Sequence, residues 1–273
     1  MKAKEASVYL EQVRTQNPLI HNITNTVVAN FNANGLLAAG ASPVMSDAPE
    51  EAADMAGAAD ALVLNIGTLH PEQVESMFTA GRAASRKGIP IVVDPVGAGA
   101  TPYRTDTARE LLKQLEVTLL RGNAGEVSAI TGLESDMKGV DTSGDRKDTA
   151  VIAEHAAQTL GIPVAVTGPV DAVSDGRETY QIYNGHSMMA KITGSGCLAS
   201  AVAASFLTVS DQVVEAAAAA LGFYGTAAER AEGFAANQGP GTFQVELLNA
   251  LYHVGELDLR QSLNMKQVTN DDE

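Results

Sequence analysis

Tryptophan is absent from the 273 residues and cysteine occurs once, as Cys197. A lone thiol excludes an internal disulfide framework and any zinc site built on paired cysteines. It is also the usage expected in a reducing compartment. Aromatic residues make up only 4% of the chain, so the core has to be assembled from Ala, Val, Ile and Leu. A chain of this length buries about three quarters of its unfolded surface and can do so without covalent staples. Basic residues are scarce: 18 Lys and Arg face 33 Asp and Glu, a formal charge of −15. That deficit argues against nucleic acid or an anionic membrane surface as a partner, because phosphate-rich partners are held by Lys and Arg. Long apolar runs are missing too. The stretches Cys197–Val209 and Ala216–Ala228 are interrupted by Ser, Gly or Tyr and fall short of the roughly 20 residues of a membrane helix. The opening MKAKEASVYLEQVR mixes charge and apolarity without the apolar core of a secretory signal. The expectation is a soluble, cytoplasmic protein.

What is present is an alternation of two textures. Short runs of Val, Ile and Leu, at Leu19–Ile23, Pro43–Met45, Ala61–Ile66, Ile89–Val93, Val117–Leu120 and Pro163–Val166, read as strands buried on both faces. Between them lie Ala-rich stretches with apolar residues at helical spacing, such as Thr26–Ala39, Glu72–Lys87, Tyr103–Gln114 and Thr149–Leu160. Strict β–α alternation implies an α/β fold with a mostly parallel sheet and helices on both faces. The segment Asp171–Lys191 departs from that rhythm. Turn signals at Asp175-Gly176 and Asn184-Gly185 flank Thr179–Tyr183 and set off Met188–Ile192, predicting an antiparallel edge of hairpin-linked strands. From Cys197 to about Val254 the pattern is helical, and the polar tail Lys266–Glu273 is expected to fray. Gly132–Lys147, Gly-rich and charged, reads as a mobile loop and is too short for a domain boundary, so residues 1–273 are expected to form a single domain.

Ligands of open α/β sheets bind outside the carboxyl ends of the strands, and several strand ends here carry Gly, Asp, Asn or Thr. They are Asn65-Ile66-Gly67-Thr68, Asp94-Pro95-Val96-Gly97, Arg121-Gly122-Asn123 and Thr167-Gly168. Each also reads as an ordinary turn. The sharpest feature is Thr193-Gly194-Ser195-Gly196-Cys197, ahead of the small-residue run LASAVAASF. Two glycines before a helix let backbone N–H groups of Gly194, Ser195 and Gly196 converge where the helix end is positive, an anion hole suited to a phosphoryl group; a tight turn that packs the helix is the alternative. Cys197, in the first helical turn, is expected to have its thiol pKa lowered by that end and to serve as a proton acceptor, or else to be a buried small apolar residue. Asp94 and Glu126 are candidates to hold Mg²⁺ through water, against a turn role for Asp94 and a capping-box role for Glu126. Arg121 suits a polyphosphate, or a rim salt bridge. The five histidines show no metal-ligand spacing, and His21 reads as a core or interface residue.

A G-x-x-x-x-G-K-S/T loop, a G-x-G-x-x-G fingerprint after the first strand and a G-x-S-x-G elbow are all missing, which counts against Ras-like nucleotidases, dinucleotide dehydrogenases and α/β-hydrolases. The combination Asn123-x-x-Glu126, Thr167-Gly168 and Gly194-x-Gly196 resembles the ribokinase-like superfamily. Within it the chain is similar to the hydroxyethylthiazole kinase family between about Pro18 and Tyr252. The specific segments are His21–Asn25 (HNITN), Asn34–Met45 (NGLLAAGASPVM), Asp94–Thr101 (DPVGAGAT) and Gly239–Phe243 (GPGTF). The resemblance implies phosphorylation of 4-methyl-5-(2-hydroxyethyl)thiazole by ATP with Mg²⁺ in thiamine salvage. It places Met45 and Gly194 on the thiazole with Asn25, Val27, Pro43 and Gly67 nearby, and Arg121, Asn123, Thr167 and Gly168 on ATP. It gives Asp94 and Glu126 to the metal, Gly194–Cys197 to the transferring phosphoryl group, and implies a homotrimer with sites between subunits. The superfamily usually carries Asp as the base just after the second glycine. Cys197 stands there instead, as in the thiazole kinases. Three rivals remain: a related kinase for a hydroxymethylpyrimidine or pyridoxal, a non-catalytic nucleotide sensor, and a dinucleotide-dependent oxidoreductase.

Overall fold

The computed structural model describes residues 3–133 and 149–268. Most of the Gly132–Lys147 segment therefore lies outside the described residues. The elements run α1 (Ala3–Gln16), β1 (Leu19–Ile23), α2 (Ala29–Ala39), β2 (Ser42–Met45), α3 (Ala52–Ala58), β3 (Ala61–Asn65), α4 (Pro71–Lys87), β4 (Ile91–Asp94), α5 (Pro102–Gln114), β5 (Leu119–Asn123) and α6 (Ala124–Thr131). After the undescribed stretch come α7 (Thr149–Leu160), β6 (Val164–Thr167), β7 (Asp171–Ser174), β8 (Thr179–Ile182), a 3₁₀ turn (Ser187–Lys191), α8 (Ser195–Leu207), α9 (Val213–Ala235), α10 (Pro240–His253), α11 (Glu256–Ser262) and β9 (Met265–Gln267).

The nine strands make one sheet in the order β2-β1-β3-β4-β5-β6-β7-β8-β9. Pairing is parallel as far as β6 and antiparallel from β6 to β9. This is the expected ribokinase-like α/β layout with its antiparallel edge. Successive side chains of a strand point to opposite faces, and β3 shows the consequence. Ala61 and Val63 join the core shared with α1, α2 and α8–α11, whereas Leu62 and Leu64 join the core shared with α3–α7. Both faces are covered, which is why the strands read as continuous apolar runs.

Helix α8 decides where the site forms. Every residue from Cys197 to Leu207 is buried, because the helix lies against β1, β3 and β4 on one side and against α2 and α9 on the other. A helix enclosed all round is apolar all round, and the small side chains of Ala199, Ser200, Ala201, Ala203 and Ala204 let its neighbours approach. Gly35 of α2 makes room for it: a Cβ there would lie 2.4 Å from Leu198 Cδ1.

Two expectations fail at the antiparallel edge. Met188–Ile192 does not form a strand; Ser187–Lys191 is a 3₁₀ turn, begun by His186 Nδ1 accepting from Met188 N at 3.3 Å. The Asn184-Gly185 pair is not a hairpin turn, because its polar groups are consumed by distant elements. Asn184 Nδ2 donates to Ser262 O at 2.7 Å and to the Glu229 carboxylate, its Oδ1 accepts from Asn264 N, and Gly185 N donates to Glu229 Oε1 at 3.0 Å. The place beside β8 is taken instead by β9, so Lys266 and Gln267, expected to fray, are paired in the sheet. Helices α1 and α3 and the exact strand ends were not foreseen either. The β4 strand starts only at Ile91 because Pro90 has no N–H to offer, although its carbonyl accepts from Leu62 N at 2.9 Å.

Close packing of Gly225 against Asn184 gives a direct check. A Cβ at Gly225 would sit 2.7 Å from the Asn184 carbonyl carbon and oxygen, whereas nothing lies within 4 Å of one at Gly233 on the same helix. Gly225→Ala is expected to cost about 2–3 kcal/mol in a denaturant melt, and Gly233→Ala to add up to about 1 kcal/mol.

Candidate active site

The β3–β4 register sets Asn65 beside Asp94 at the carboxyl end of the sheet. Asp94 is wholly buried. Its Oδ2 accepts from Asn65 Nδ2 at 2.7 Å and from Ser200 Oγ at 2.9 Å, and its Oδ1 faces Arg121 Nη1 at 3.7 Å with no hydrogen-bond partner of its own. Burial raises its pKa to about 6 against the pull of Arg121 and the two donors. A buried carboxylate with one unpartnered oxygen is costly, and such sites concentrate where chemistry is done.

Arg121 ends a buried part of β5 and reaches across to β6, where its Nη2 donates to Thr167 Oγ1. Gly196 has no side chain because the guanidinium needs the space: a Cβ there would lie 2.9 Å from Arg121 Nη1. Arg121, Thr167, Gly168, Ser195 and Gly196 together line a cavity of about 590 Å³, closed on the far side by Met189, Ala199 and Tyr224. The first turn of α8 opens into it. Gly194 adopts φ +88°, a left-handed conformation that glycine reaches without strain. A Cβ there would also strike Val28 Cγ1 at 2.6 Å. Ser195 does not offer its hydroxyl to the cavity, since Oγ donates to Met189 O at 2.8 Å; its carbonyl takes the Tyr224 hydroxyl at 2.9 Å. A positively charged fork beside the free N–H groups of a helix start is an anion site. A hollow of similar size, about 570 Å³, opens at the opposite end of the sheet around Asp60, Pro90 and Asp211 and holds none of these groups.

Cys197 is 8% exposed and its Sγ accepts from Asn25 Nδ2 at 3.4 Å. The expected lowering of its pKa is not found. Burial pushes the thiol up to about 11, and the Asp94 carboxylate adds to the rise, while the amides of Asn65 and Asn25 and the charge of Arg121 pull only partly the other way. At neutral pH the group is a thiol. The helix end favours a thiolate, but desolvation and a neighbouring negative charge outweigh it here.

Asn123 and Glu126 form a capping box at the start of α6. Asn123 Oδ1 accepts from Glu126 N and Glu126 Oε2 accepts from Asn123 N, each at 2.9 Å. Glu126 Oε1 accepts from Gly97 N at 2.9 Å, so one carboxylate ties the loop after β4 to the turn after β5. Asn123 and Glu126 are thus engaged with backbone, and the capping reading of Glu126 is what the geometry shows. Two further residues belong to this rim without having been singled out in the sequence. Arg104, one turn into α5, gives Nη1 to Ile66 O and Val96 O and Nη2 to Gly67 O, fastening the ends of β3 and β4 together. Asp171, at the start of β7, accepts from Gly168 N at 2.9 Å and lines the cavity; burial raises its pKa to about 6. Neither stands in a recognisable spacing, and only a bulky Arg among turn residues hinted at the first.

The thiazole-side candidates are only partly gathered. Asn25 touches Cys197, and Gly67 packs on Asn25, where a Cβ would lie 2.7 Å from its Nδ2. Pro43 and Met45 lie on β2, three strands from Asp94, and Val27 is 67% exposed.

Residues 10–256 match the model of the hydroxyethylthiazole kinase family. The chain belongs to the hydroxyethylthiazole kinase family. The structure of a hydroxyethylthiazole kinase protein from Pyrococcus horikoshii OT3 is 42% identical, with TM-score 0.89 over 97% of this chain and all of that one. A ribokinase-like superfamily protein from Enterococcus faecalis V583 (12% identity, TM-score 0.66, 92% of this chain and 95% of that) shares the fold. So does the pyridoxal kinase from Staphylococcus aureus in complex with pyridoxal (16% identity, TM-score 0.57, 77% and 87%). Membership makes this chain a kinase, which sets aside the sensor and oxidoreductase alternatives. Among the described residues no helix is long and apolar enough to cross a membrane.

The protonated state of Cys197 can be read chemically. Iodoacetamide at pH 8 is expected to alkylate the folded kinase at least tenfold more slowly than the urea-unfolded chain, where the thiol has its ordinary pKa near 8.5. Equal rates would show a thiolate at this position.

Proposed function

We propose that this kinase transfers the γ-phosphoryl group of ATP to the hydroxyl of 4-methyl-5-(2-hydroxyethyl)thiazole, a salvage step toward thiamine. The observation that carries the reading is the placement of the Cys197 sulfur. It sits in the first turn of α8, accepting from Asn25 Nδ2 and directly following Ser195 and Gly196, which line the cavity with Arg121. An acceptor alcohol lying over that sulfur would face a phosphoryl group held by the α8 amides and the Arg121 guanidinium. ATP would occupy the cavity, with Arg121, Thr167 and Gly168 along its phosphates and Asn123 fixing the adjoining turn.

Phosphoryl transfer is mostly positioning and charge stabilisation. Gly194 to Cys197 supply backbone N–H groups that strengthen their bonds as charge grows on the equatorial oxygens. Arg121 neutralises further charge. Cys197, being a thiol, holds its proton and orients the attacking hydroxyl in preference to ionising it; as the new O–P bond forms and the bond from the γ-phosphorus to ADP breaks, the alcohol proton passes to the transferred phosphoryl group. Among the described residues no group of three or more His, Cys, Asp or Glu side chains could hold a metal directly. The residues present nevertheless fit Mg²⁺ bound through water: Asp94 Oδ1 is unpartnered, and each oxygen of Glu126 retains a lone pair beyond its single N–H bond. Mg²⁺ keeps most of its waters and, when bound, would neutralise phosphate charge. Asp94 and Glu126 would orient those waters.

Met45, Pro43 and Val27 would complete the thiazole site together with a neighbouring subunit. The separation of β2 from the Asp94 strand and the exposure of Val27 support that arrangement, and we place the protein as a cytoplasmic homotrimer built from a single-domain chain.

Incubation with ATP, Mg²⁺ and a panel of vitamin-precursor alcohols is expected to release ADP fastest with the thiazole alcohol; no preference for it over pyridoxal or the hydroxymethylpyrimidine would overturn the substrate assignment. Cys197→Ala should lower kcat about a hundredfold through lost orientation of the hydroxyl, with little change in either KM; an unchanged kcat would remove the sulfur from the mechanism. For Glu126→Gln, the Mg²⁺ titration is expected to shift to higher concentration, and an identical titration would leave Glu126 a purely structural cap.

A further inference from the structure

Between the sulfur and the buried carboxylate runs a chain of two amides whose polarity is forced from both ends. Asn65 lies at the end of β3. Its Oδ1 accepts from the backbone N–H of Gly67 at 3.0 Å, and its Nδ2 donates to Asp94 Oδ2 at 2.7 Å. A backbone N–H can only donate, and an ionised carboxylate can only accept. Asn65 therefore has one permitted orientation, with its oxygen turned toward β1. That oxygen also faces Asn25, which must present its NH₂ group, and Asn25 Nδ2 donates to it at 2.9 Å. The second hydrogen of the same nitrogen goes to Cys197 Sγ at 3.4 Å. Both hydrogens of Asn25 Nδ2 are spent inside the protein, and the carbonyl oxygen of Asn25 takes no part in the chain of bonds.

We propose that Asn65 is a positioning residue for phosphoryl transfer, locking the Asn25 amide so that its oxygen, never its nitrogen, is offered to the acceptor alcohol. This rests on the kinase reading above. The consequence is a matter of hydrogen-bond direction. An alcohol that donates its hydroxyl proton to Asn25 Oδ1 keeps its own lone pairs free to attack phosphorus. An Asn25 turned the other way would donate to that oxygen, leaving the hydroxyl proton without this acceptor and drawing electron density from the attacking oxygen. The sulfur is oriented by the same amide. Because Sγ accepts from Asn25, its own S–H has to point elsewhere. Asn65 is itself wholly buried and reaches the alcohol through Asn25.

The lock is separable from mere packing. Asn65→Leu keeps the volume and removes all three side-chain hydrogen bonds; Asn65→Ser, smaller and still polar, cannot bridge Asp94 and Asn25 at once and serves if the Leu variant folds poorly. Each is expected to lower kcat on the order of tenfold while KM for ATP stays within about twofold, since Asn65 does not line the nucleotide cavity. The deciding measurement is a double-mutant cycle with Asn25→Ala. In that background the amide to be locked is gone, so the Asn65 substitution should change kcat less than about twofold. A structural defect would lower activity by the same factor in both backgrounds. Multiplying costs, a KM for ATP that rises in step with the fall in kcat, or a wild-type kcat in both variants would overturn the proposal. The cycle is read with whichever alcohol the unsubstituted kinase phosphorylates, so a wrong thiazole assignment leaves its outcome legible.

Discussion

Everything at the carboxyl end of the sheet is arranged around one buried carboxylate. Asp94 sits at the end of an all-Val and Ile strand with no exposed surface. A charge in such a place persists only with partners. Its neighbours supply them from three separate elements: Asn65 from β3, Ser200 from α8 and Arg121 from β5. Satisfying Asp94 thus fixes the strand ends and the central helix relative to one another. It is also incomplete, with Oδ1 and Arg121 Nε both unpartnered.

The same charge bears on Cys197. A thiol at a helix start near an arginine would ordinarily be acidic, yet burial, with the Asp94 carboxylate adding to it, reverses the direction. The chemistry available to the sulfur is therefore set less by its own helix than by its enclosure and by a residue over a hundred positions away. Enclosure of α8 has a parallel effect. It makes the helix too small-sided to carry large functional groups beyond its first turn, so charge has to be brought in from β5 by Arg121, and Gly196 has to stay bare to admit it.

How far such a site can be read in advance differs from residue to residue. Asp94, Arg121 and Cys197 were visible because each interrupts a pattern: an acid ending an apolar strand, a guanidinium after a buried run, a thiol after paired glycines. Asn123 and Glu126 were visible as a spacing with two meanings, metal or cap, and the hydrogen bonds to Asn123 N and Gly97 N show the cap. Asn65 was noticed only as one of several turn-like strand ends, and Arg104 not at all. Their importance lies in partners that are remote in the chain, Asp94 and Asn25 for one, Ile66, Val96 and Gly67 carbonyls for the other. The failed hairpin at Asn184-Gly185 has the same origin. A turn signal is local, and here Glu229, Ser262 and Asn264 outbid it.

By itself the sequence determined the layered parallel sheet, its antiparallel edge, the run of helices after Cys197 and the rim on which a ligand would lie. Those follow from periodicity and from glycine, features expressed within a dozen residues. The direction of the cysteine's ionisation, the sense of each amide in the Asn25–Asn65 pair and the partner that closes the sheet at β9 were decided by tertiary structure alone. Each is a property of what an atom faces, and desolvation and hydrogen-bond direction are defined only once distant segments have been brought into contact.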